Sequence, residues 1–207
     1  MPSRPTLVAM DLEGVLIPEV WIAVAEKTGI EGLKLTTRDI SDYDVLMRGR
    51  LDLLEQHNLG LKDIQEVIET MDPLPGADAF LAELRASRQA VILSDTFYEF
   101  AAPFMRKLGW PTLFCNTLDV DGNERVVDYH LRMPDGKRHA VLSFKNLNFR
   151  VVAVGDSYND TTMLAEADLG ILFRPSDNVR REFPQFVVTD DYEQMRNAIT
   201  EFDPVAS

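Results

Sequence analysis

The chain has little cysteine, a deficit of positive charge and no long apolar run, and each shortage excludes a class of protein. Cys115 is the single cysteine among 207 residues, so no intrachain disulfide can form. Lysine and arginine total 21 against 34 aspartates and glutamates, and the net charge of −13 argues against nucleic acid or an anionic membrane as the main partner. No apolar run approaches the roughly 18 residues of a membrane span, and we expect no secretory leader. These absences predict a cytoplasmic protein.

Hydrophobic residues make up 45% of the chain, and they fall in short runs with helical stretches between them. The runs lie at 6–10, 90–93, 112–115, 151–154, 170–173 and 186–188. Strands that alternate with helices form a parallel sheet that has helices on both faces. The sequence therefore predicts an α/β fold with a Rossmann-like parallel sheet as its core.

The interval between the first two strands is far longer than a simple crossover needs. Three helical stretches fill it, at Pro18–Thr28, Ser41–His57 and Leu61–Met71. The segment Asp72-Pro-Leu-Pro-Gly76 has strong turn chemistry and closes the interval before a further helix at 77–87. We predict a helical cap at 17–73, inserted into a catalytic core formed by residues 1–16 and 74–207.

A second irregular segment follows the third strand. From Leu118 to Leu131, apolar and polar residues alternate around Asp121-Gly122, a pattern that is typical of a β-hairpin. The segment is predicted to form a small antiparallel flap outside the parallel sheet.

Carboxylates stand where two of the predicted strands end. Asp11 and Glu13 follow the first strand, and Asp156 follows Gly155 at the end of the fourth. Ligands of open parallel sheets bind beyond the carboxyl ends of the strands, so these side chains converge if the two strands are neighbours. Each segment alone also fits a solvated turn or a helix cap. Together, facing carboxylates require a cation, and Mg²⁺ binds through one or two carboxylates with substrate oxygens and water.

The end of the second strand, Ser94-Asp95-Thr96, is a candidate phosphate site. A hydroxyl and backbone N–H groups beside a helix start can bind phosphate oxygens, although these residue types also favour a plain helix cap. Phosphate binding in so acidic a chain needs a fixed cation, and Lys137 and Lys145 flank the predicted helix Arg138–Phe144. Because a crossover helix starts at the edge where the preceding strands end, Lys137 is predicted to face the site.

These segments resemble the motifs of the haloacid dehalogenase superfamily. The matching residues are Asp11-x-Glu13-Gly-Val, the strand-end Ser94, a lysine before the next helix, and Gly155-Asp156-x-x-Asn159-Asp160. The motif order and the helical insertion after the first motif are similar to those of phosphoserine phosphatases. Asp-Leu-Glu-Gly-Val and Ser-Asp-Thr resemble a bifunctional branch that also transfers phosphate to homoserine, where ordinary phosphoserine phosphatases have Asp-x-Asp and Ser-Gly-Gly.

The resemblance implies a mechanism for this site. Asp11 attacks phosphorus and becomes an aspartyl phosphate, while Glu13 protonates the leaving oxygen and then deprotonates the incoming nucleophile. Mg²⁺ is held by Asp11, Asp156 and the backbone carbonyl of Glu13. The residues expected to bind phosphate or to support the site are Ser94, Asp95, Lys137, Asn159 and Asp160. The implied reaction yields serine and belongs to serine biosynthesis.

The second predicted helix of the cap carries a candidate substrate residue. Tyr43, Met47, Arg50 and Leu54 share one face of it. Arg50 interrupts this apolar stripe, either as a snorkelling or salt-bridged side chain or as a bidentate clamp on a substrate carboxylate. The resemblance implies the clamp, and it implies that Glu19 binds the substrate ammonium group. Glu19 also fits a simple role at a helix N-terminus.

The sequence thus predicts a Mg²⁺-dependent phosphatase of O-phosphoserine, with homoserine as a second acceptor by resemblance. Two alternatives stay open at this stage: a phosphatase of another small phosphorylated metabolite, and a signalling module that only carries phosphate on an aspartate. Such signalling modules lack a cap and need no acid beside the nucleophile. The role of Glu13 therefore distinguishes an enzyme from a signalling module. Whether the chain is a monomer or a homodimer is left open.

Overall fold

A seven-stranded sheet organises the computed structural model, which describes residues 4–36, 39–40 and 42–204. The strands are β1 (Thr6–Met10), β2 (Gln89–Phe97), β3 (Thr112–Val120), β4 (Val126–His130), β5 (Arg150–Gly155), β6 (Leu169–Phe173) and β7 (Val187–Thr189). Their order across the sheet is β4-β3-β2-β1-β5-β6-β7, and all neighbours are parallel except the pair β3 and β4. The predicted α/β fold with a Rossmann-like parallel sheet is confirmed.

Strand β1 lies at the centre of the sheet, and every one of its residues is buried. It pairs with β2 on one side and with β5 on the other, and Met10 is opposite both Ile92 and Val154. A parallel strand that is covered on both faces needs apolar side chains on both, as the run Leu7-Val-Ala-Met10 provides. This register brings the residues that follow β1, β2 and β5 to one edge of the sheet.

Helices cover both faces of the sheet. In the described part of the chain they are α1 (Val20–Thr28), α2 (Tyr43–Gln56), α3 (Leu61–Glu69), α4 (Ala77–Ser87), α5 (Tyr98–Lys107), α6 (Gly136–Asn146), α7 (Thr161–Glu166), α8 (Asp177–Glu182) and α9 (Tyr192–Phe202). Val8 and Met10 join a hydrophobic cluster with α1 to α5 and α9, whereas Leu7 and Ala9 join a second cluster with α6, α7 and α8. Within the described ranges, none of these helices combines the length and the apolar character needed to cross a membrane.

Helices α1, α2 and α3 lie between β1 and β2 in the chain, where the sequence predicts a helical insertion. They bury Trp21, Met47 and Ile64 in the same hydrophobic cluster as the central strands. Trp21 also meets Phe100 of α5 edge to face, with the ring centroids 5.5 Å apart. The division of the chain into a core and a cap at 17–73 stays a prediction.

The start of α2 differs from the predicted start at Ser41, which lies outside the described residues. The helix begins at Tyr43, because the Asp42 carboxylate accepts hydrogen bonds from the backbone N–H groups of Asp44 and Val45. Such a cap pairs two of the donors that a helix start leaves open.

Strands β3 and β4 form the predicted hairpin. Oδ1 of Asp121 accepts hydrogen bonds of 2.9 Å from the backbone N–H groups of Asn123 and Arg125, which closes the turn. Strand β3 pairs in parallel with β2 as far as Asn116, with a register shift between Leu93 and Phe97 of β2, and it pairs with β4 from Thr117 onward. The flap is therefore a continuation of a sheet strand.

Two element boundaries differ from the sequence predictions in ways that affect the site. Strand β2 runs on to Phe97 instead of ending at Leu93, and helix α6 begins at Gly136 instead of Arg138. Lys137 consequently lies inside the first turn of α6, where its backbone position is fixed by the helix. Helices α8 and α9 were not among the predicted elements.

Candidate active site

A cavity of about 980 Å³ lies at the carboxyl edge of the sheet, beside the ends of β1, β2 and β5. Its lining includes every residue that the sequence analysis assigned to catalysis, metal binding or substrate binding, namely Asp11, Glu13, Glu19, Arg50, Ser94, Asp95, Lys137, Asp156 and Asn159. These residues come from distant parts of the chain. They meet because the sheet order puts β1 between β2 and β5 and because α2 borders the same cavity.

Asp11 follows β1 in a loop that hydrogen bonds hold in place. Its N–H donates to the carbonyl oxygen of Val154 at 2.9 Å, which extends the pairing of β1 with β5. Its Oδ1 accepts a hydrogen bond of 2.7 Å from the N–H of Leu12. The side chain is only 6% exposed, so protein groups rather than bulk water set its orientation.

Gly14 lets this loop pass close to Asp156. Its φ of 77° lies in the left-handed region, and a Cβ at this position would lie 2.5 Å from Cγ of Asp156. Both conditions favour glycine, which has no side chain to clash and adopts positive φ readily. The loop after β1 and the carboxylate after β5 are therefore too close for a side chain to stand between them.

Glu13 has its carboxylate fixed by helix α1. Its Oε2 accepts a hydrogen bond of 3.0 Å from the backbone N–H of Val20, the first residue of that helix. The open N–H groups and the positive end of the helix dipole favour a carboxylate at this point. One oxygen of Glu13 is thus anchored by the helix, and the residue borders the cavity.

Lys137 is a buried cation of the site, with a side chain that is 5% exposed. Its Nζ lies 2.8 Å from Oδ1 of Asp160, 3.0 Å from Oδ2 of Asp11 and 3.4 Å from Oδ2 of Asp95. Burial lowers the pKa of Lys137, but the three carboxylates outweigh burial and hold this pKa well above its ordinary value. The amine therefore carries its charge throughout the physiological pH range.

The competing lysine lies elsewhere. Lys145 is near the last residue of α6, and its Nζ donates to the carbonyl oxygen of Glu166 at 2.6 Å. The direction of a crossover helix thus predicts correctly which of the two lysines borders the cavity.

Asp160 is fully buried and organises the loop after β5. Its Oδ2 accepts hydrogen bonds from the N–H groups of Asp156 at 2.9 Å and Ser157 at 3.2 Å, while Oδ1 accepts from Lys137. Gly155 is required beside it, because a Cβ there would lie 2.3 Å from the Asp160 side chain. Both oxygens of Asp160 thus accept from protein donors, and Asp160 supports the backbone of Asp156 and Ser157 from below the cavity surface.

Asp11, Asp156 and Asp160 form an acidic cluster in which one oxygen of each lies within 4.8 Å of the others. Burial, together with the neighbouring carboxylates, raises the pKa of Asp11 well above its ordinary value and raises the pKa of Asp156 to about 7. A cation would relieve this repulsion, and carboxylate oxygens are the donors that Mg²⁺ prefers. Because Asp11 and Asp156 border the cavity, whereas Asp160 is fully buried and is not part of the cavity lining, Asp11 and Asp156 are the carboxylates that fit a metal ion. A contribution from the Glu13 carbonyl stays a prediction.

Replacing Asp156 with asparagine is expected to stabilise the metal-free protein and to abolish its response to Mg²⁺. A raised pKa means that the charged carboxylate costs folding free energy: the cost is absent below the ordinary value of 3.8 and grows until the pH passes about 7. In EDTA at about pH 8, Asp156→Asn should therefore raise the melting temperature by about 2–4 °C for each 1 kcal/mol of repulsion relieved. This gain should shrink as the pH is lowered toward about 5.

Thermal melts with and without Mg²⁺ test both halves of this prediction. Ligand binding to the folded state should raise the melting temperature of the parent protein, whereas the Asp156→Asn protein should show no such rise. Asp135→Asn is the matched control, because Asp135 borders the cavity but lies outside the acidic cluster. A parent protein whose melting temperature ignores Mg²⁺ would contradict the assignment of the metal ligands.

Ser94 is buried at the cavity, and its Oγ accepts a hydrogen bond of 3.2 Å from the N–H of Thr96. The alternative interpretation of this segment as a helix cap is wrong, since β2 continues to Phe97 and α5 begins without a side-chain cap. The pairing of β2 with β3 shifts register between Leu93 and Phe97. The polar segment therefore interrupts the regular sheet at the cavity wall.

Asp95 connects three parts of the site. Its Oδ2 lies 3.4 Å from Nζ of Lys137 and accepts a hydrogen bond of 2.9 Å from Nδ2 of Asn159. Its backbone carbonyl accepts from Nδ2 of Asn116 at 3.0 Å and from the hydroxyl of Tyr43 at 3.3 Å. Because Asn116 belongs to β3 and Tyr43 to α2, the backbone of Asp95 is held from two sides.

Sequence reasoning missed two of these contacts. Tyr43 lies on an apolar helix face in the sequence pattern. This pattern gives no indication that its hydroxyl donates a hydrogen bond to the backbone carbonyl of Asp95. Asn116 belongs to no motif, but an amide in a buried strand must find hydrogen-bond partners, and that signal was available. Its Oδ1 accepts from the N–H of Arg132 at 3.0 Å, and its Nδ2 donates to Asp95.

Arg50 is 8% exposed and borders the cavity. Its guanidinium carbon lies 4.7 Å from the ring centroid of Trp21, and one of its nitrogens donates to the carbonyl oxygen of Leu35 at 2.8 Å. Its Nε is buried without a hydrogen-bond partner, and burial lowers the pKa of Arg50. Among the described residues no carboxylate forms an ion pair with it, so a salt bridge does not explain this arginine. The substrate clamp stays a prediction.

Glu19 precedes α1 and is exposed at the cavity. Its side chain makes no capping hydrogen bond to the helix, because the first N–H of α1 donates to Glu13. Glu19 lines the same cavity as Asp156 and Arg50. The hydrogen bond to the first N–H of α1 thus involves Glu13, while Glu19 occupies the N-cap position, and its binding of a substrate ammonium group stays a prediction.

Comparisons with known proteins agree with this geometry. The family model described as haloacid dehalogenase-like hydrolase matches residues 5–168. Over 190 residues the chain is 60% identical to the phosphoserine phosphatase ThrH of Pseudomonas aeruginosa, an alignment that covers 92% of this chain and 93% of that protein. It is also 60% identical to a phosphoserine phosphatase of Pseudomonas syringae pv. tomato, over 92% of this chain and 80% of that one.

Solved structures with a similar fold include phosphoserine phosphatases. A solved structure of phosphoserine phosphatase in its apo form superposes with a TM-score of 0.77 at 22% identity and covers 93% of this chain and 98% of the other. The family match spans both acidic strand ends and Lys137. The chain belongs to the haloacid dehalogenase-like hydrolases.

Proposed function

We propose that the chain hydrolyses O-phosphoserine, with Mg²⁺ as cofactor and an aspartyl phosphate on Asp11 as intermediate. Two relatives that are 60% identical to it are named phosphoserine phosphatases. The observation that carries the choice of substrate is Arg50, a buried guanidinium with an unpaired Nε at the cavity that Asp11 also lines. A substrate with both a phosphate and a carboxylate would satisfy both groups.

The amino-acid part of the substrate is proposed to bind to Arg50 and Glu19. A planar guanidinium matches a carboxylate with two parallel hydrogen bonds, and a buried cation without an anionic partner gains most from one. Glu19, exposed at the same cavity, would accept the ammonium group. Both residues belong to segment 17–73, so we propose that this segment is a helical cap that recognises the amino acid above a core of residues 1–16 and 74–207.

Asp11 and Asp156 are the proposed ligands of Mg²⁺, with the backbone carbonyl of Glu13 as a third. When bound, the metal neutralises negative charge on the phosphoryl oxygens and on the attacking carboxylate. Asp160 keeps Asp156 in position through the backbone N–H groups that it binds. The close approach of Gly14 to Asp156 keeps the two ligand loops together.

Asp11 is the proposed nucleophile. Its carboxylate oxygen forms a bond to phosphorus while the bond from phosphorus to the serine oxygen breaks, which leaves serine and an aspartyl phosphate. A water oxygen then attacks the same phosphorus, and the carboxylate and inorganic phosphate are released. Lys137, 3.0 Å from Oδ2 of Asp11, orients the nucleophile and supplies positive charge beside the phosphoryl group.

Glu13 is the proposed acid and base. In the first half-reaction its protonated carboxyl gives a proton to the leaving serine oxygen, and in the second the resulting carboxylate takes a proton from water. The hydrogen bond from Val20 to Oε2 fixes the group, so Oε1 would carry the proton. Ser94 and Asn159 are proposed to bind phosphoryl oxygens, because both border the cavity near Asp95 and Lys137.

The test of this function is the release of inorganic phosphate from O-phosphoserine with Mg²⁺ and with EDTA. Phosphate release that requires Mg²⁺ is expected. A protein that releases no phosphate yet keeps a stable phosphate on Asp11 would instead be a signalling module. A protein that prefers phosphorylated sugars to O-phosphoserine would be a phosphatase of another small metabolite.

A second activity, transfer of the phosphoryl group to homoserine, is proposed alongside hydrolysis. It is supported by Glu13 and Asp95, which resemble the bifunctional branch at two motif positions. The hydroxyl of homoserine would replace water as the group that Glu13 deprotonates. With O-phosphoserine and Mg²⁺, increasing homoserine should divert part of the phosphoryl groups from inorganic phosphate to phosphohomoserine. The absence of phosphohomoserine at every homoserine concentration would exclude transfer. We also propose a cytoplasmic location, which cell fractionation would test. Sedimentation would show whether the chain is a monomer or a homodimer, which the sequence leaves open.

Loss of the Arg50 guanidinium is expected to raise KM for O-phosphoserine about tenfold to a hundredfold, since one partner of a buried charge pair is removed. Arg50→Ala and the better-filling Arg50→Met should both show this rise. O-phosphoethanolamine differs from the substrate only by its missing carboxylate. Its kcat/KM should change less than about threefold in the same variants.

Arg48→Ala is the matched control for these measurements. Arg48 lies on the same helix, but its side chain is 49% exposed and pairs with Asp128 at 2.7 Å, away from the cavity lining. Its loss should leave both substrates within about twofold of the parent, as expected for an exposed ion pair. Equal losses for the two substrates in Arg50→Met would show that Arg50 supports the fold and does not bind the carboxylate.

A further inference from the structure

Asp95 makes contacts that a bound phosphate would need. A single oxygen, Oδ2, lies 3.4 Å from Nζ of Lys137 and 2.9 Å from Nδ2 of Asn159. Lys137 and Asn159 are two of the donors that the proposed function assigns to phosphoryl oxygens. The Asp95 carboxylate is an anionic oxygen acceptor, as a phosphoryl oxygen is, so it occupies their donor positions.

Lys137 is surrounded by carboxylates in this arrangement, and it donates a hydrogen bond to the nearest of them, Asp160. An ammonium group has three N–H donors, and three carboxylates lie around Nζ. The side chains of Asp160 and Asp11 are 0% and 6% exposed, whereas that of Asp95 is 47% exposed. Of the three acceptors, only Asp95 can turn toward solvent without burying an unpaired charge elsewhere.

The rest of Asp95 is fixed, so the movement would be confined to the side chain. Asn116 and Tyr43 hold its backbone carbonyl from β3 and α2. The neighbouring Ser94 is 7% exposed and is tied to Thr96. Rotation of the Asp95 side chain would thus leave the backbone of Ser94 and Asp95 in position.

We propose that the Asp95 carboxylate is a built-in competitor of phosphate: it holds Lys137 and Asn159 in the absence of ligand and is displaced from both when a phosphoryl group binds. This inference rests on the proposed function for the identity of the ligand. It assigns to Asp95 a positioning role with two consequences. The two donors are kept oriented for the phosphoryl group, and inorganic phosphate is held less tightly, because the carboxylate competes with it for the same N–H groups.

The test is the affinity for inorganic phosphate, measured by titration calorimetry at fixed Mg²⁺ and fixed ionic strength. Asp95→Ala removes the competitor, and Asp95→Asn keeps its shape but removes its charge. Both variants should bind phosphate more tightly, by about five- to tenfold for alanine and less for asparagine, the scale of a charge-assisted hydrogen bond reduced by partial exposure. If phosphoserine is hydrolysed, its KM should fall in parallel.

Asp135→Asn separates local competition from the general effect of removing a negative charge. The Asp135 side chain is 38% exposed and borders the same cavity, but it pairs with Arg138 and Thr162, not with Lys137 or Asn159. Its phosphate affinity should stay within about twofold of the parent. Equal tightening in Asp135→Asn and Asp95→Asn would overturn the proposal in favour of long-range electrostatics, and unchanged or weaker binding in both Asp95 variants would overturn it outright. Because binding is measured directly, the result stands even if phosphoserine is not hydrolysed, which would instead refute the proposed function.

Discussion

Replacing Asp11 with asparagine is expected to lower kcat for phosphoserine hydrolysis by about 10⁴-fold or more, which is the scale of losing a nucleophile. An amide oxygen is a far weaker nucleophile than a carboxylate, so the aspartyl phosphate would not form. Two measurements check this. Steady-state phosphate release gives kcat, and brief reaction with labelled phosphoserine followed by acid quenching should trap an alkali-labile phosphoprotein in the parent and none in the variant.

Folding should not confound this result. Burial and neighbouring carboxylates raise the pKa of Asp11, so its charge costs free energy in the metal-free protein, and a neutral amide of the same shape relieves that cost. The Oδ1 acceptor for the N–H of Leu12 is also preserved by an amide oxygen. The Asp11→Asn protein should therefore melt no lower than the parent in EDTA. A variant that is fully folded and keeps more than about one hundredth of the parent's kcat would refute Asp11 as the nucleophile.

The position of the site could be predicted because it depends on strand order and strand ends. An apolar run that stops at Asp11 and another that stops at Asp156 identify two parallel strands, and ligands of such sheets bind at the carboxyl edge. The choice of Lys137 over Lys145 follows from the same geometry, since it needs only the direction of a helix. None of these inferences requires knowledge of a side-chain contact.

The parts that sequence could not predict depend on contacts between side chains. The α2 pattern gives no reason for the Tyr43 hydroxyl to reach the carbonyl of Asp95, and Asp95 itself reads equally well as a turn residue. The hydrogen bond from Val20 to Glu13 could not be predicted either, because Glu19 follows Pro18 and fits the start of α1 just as well in sequence. Such contacts are decided by a few ångströms of tertiary geometry.

The charged groups of the site form one connected network, in which Lys137 faces an excess of carboxylates. Lys137 contacts Asp11 and Asp160, Asp160 binds the backbone N–H of Asp156, and Asp156 touches Gly14 in the loop that starts at Asp11. Each member limits the movement of the next. Most of these side chains are buried, where an unpaired charge is expensive, so loss of the cation Lys137 should destabilise the whole protein, whereas neutralising one of the excess carboxylates need not.

Lys137→Met is therefore expected to abolish activity and also to destabilise the fold by about 3–5 kcal/mol, since it leaves buried carboxylates without their cation. For a chain of this length, that loss corresponds to a fall in melting temperature of roughly 10 °C. Urea unfolding, monitored by circular dichroism, measures the change in the free energy of unfolding. Lys145→Met is the matched control, because Lys145 is 30% exposed and pairs with Glu166 at 3.7 Å, and its loss should cost no more than about 1 kcal/mol.

The double variant Lys137→Met/Asp160→Asn identifies the cause of the destabilisation. Asp160 is the acceptor closest to Nζ, at 2.8 Å, and its side chain is 0% exposed. Neutralising it removes the charge that Lys137→Met leaves unpaired, while an amide oxygen can still accept the N–H groups of Asp156 and Ser157. The double variant should therefore be more stable than Lys137→Met alone, with a coupling of about 1–3 kcal/mol. If the two substitutions instead add without coupling, Lys137 stabilises the protein by packing its aliphatic stem, and the connected charge network described above would have to be abandoned.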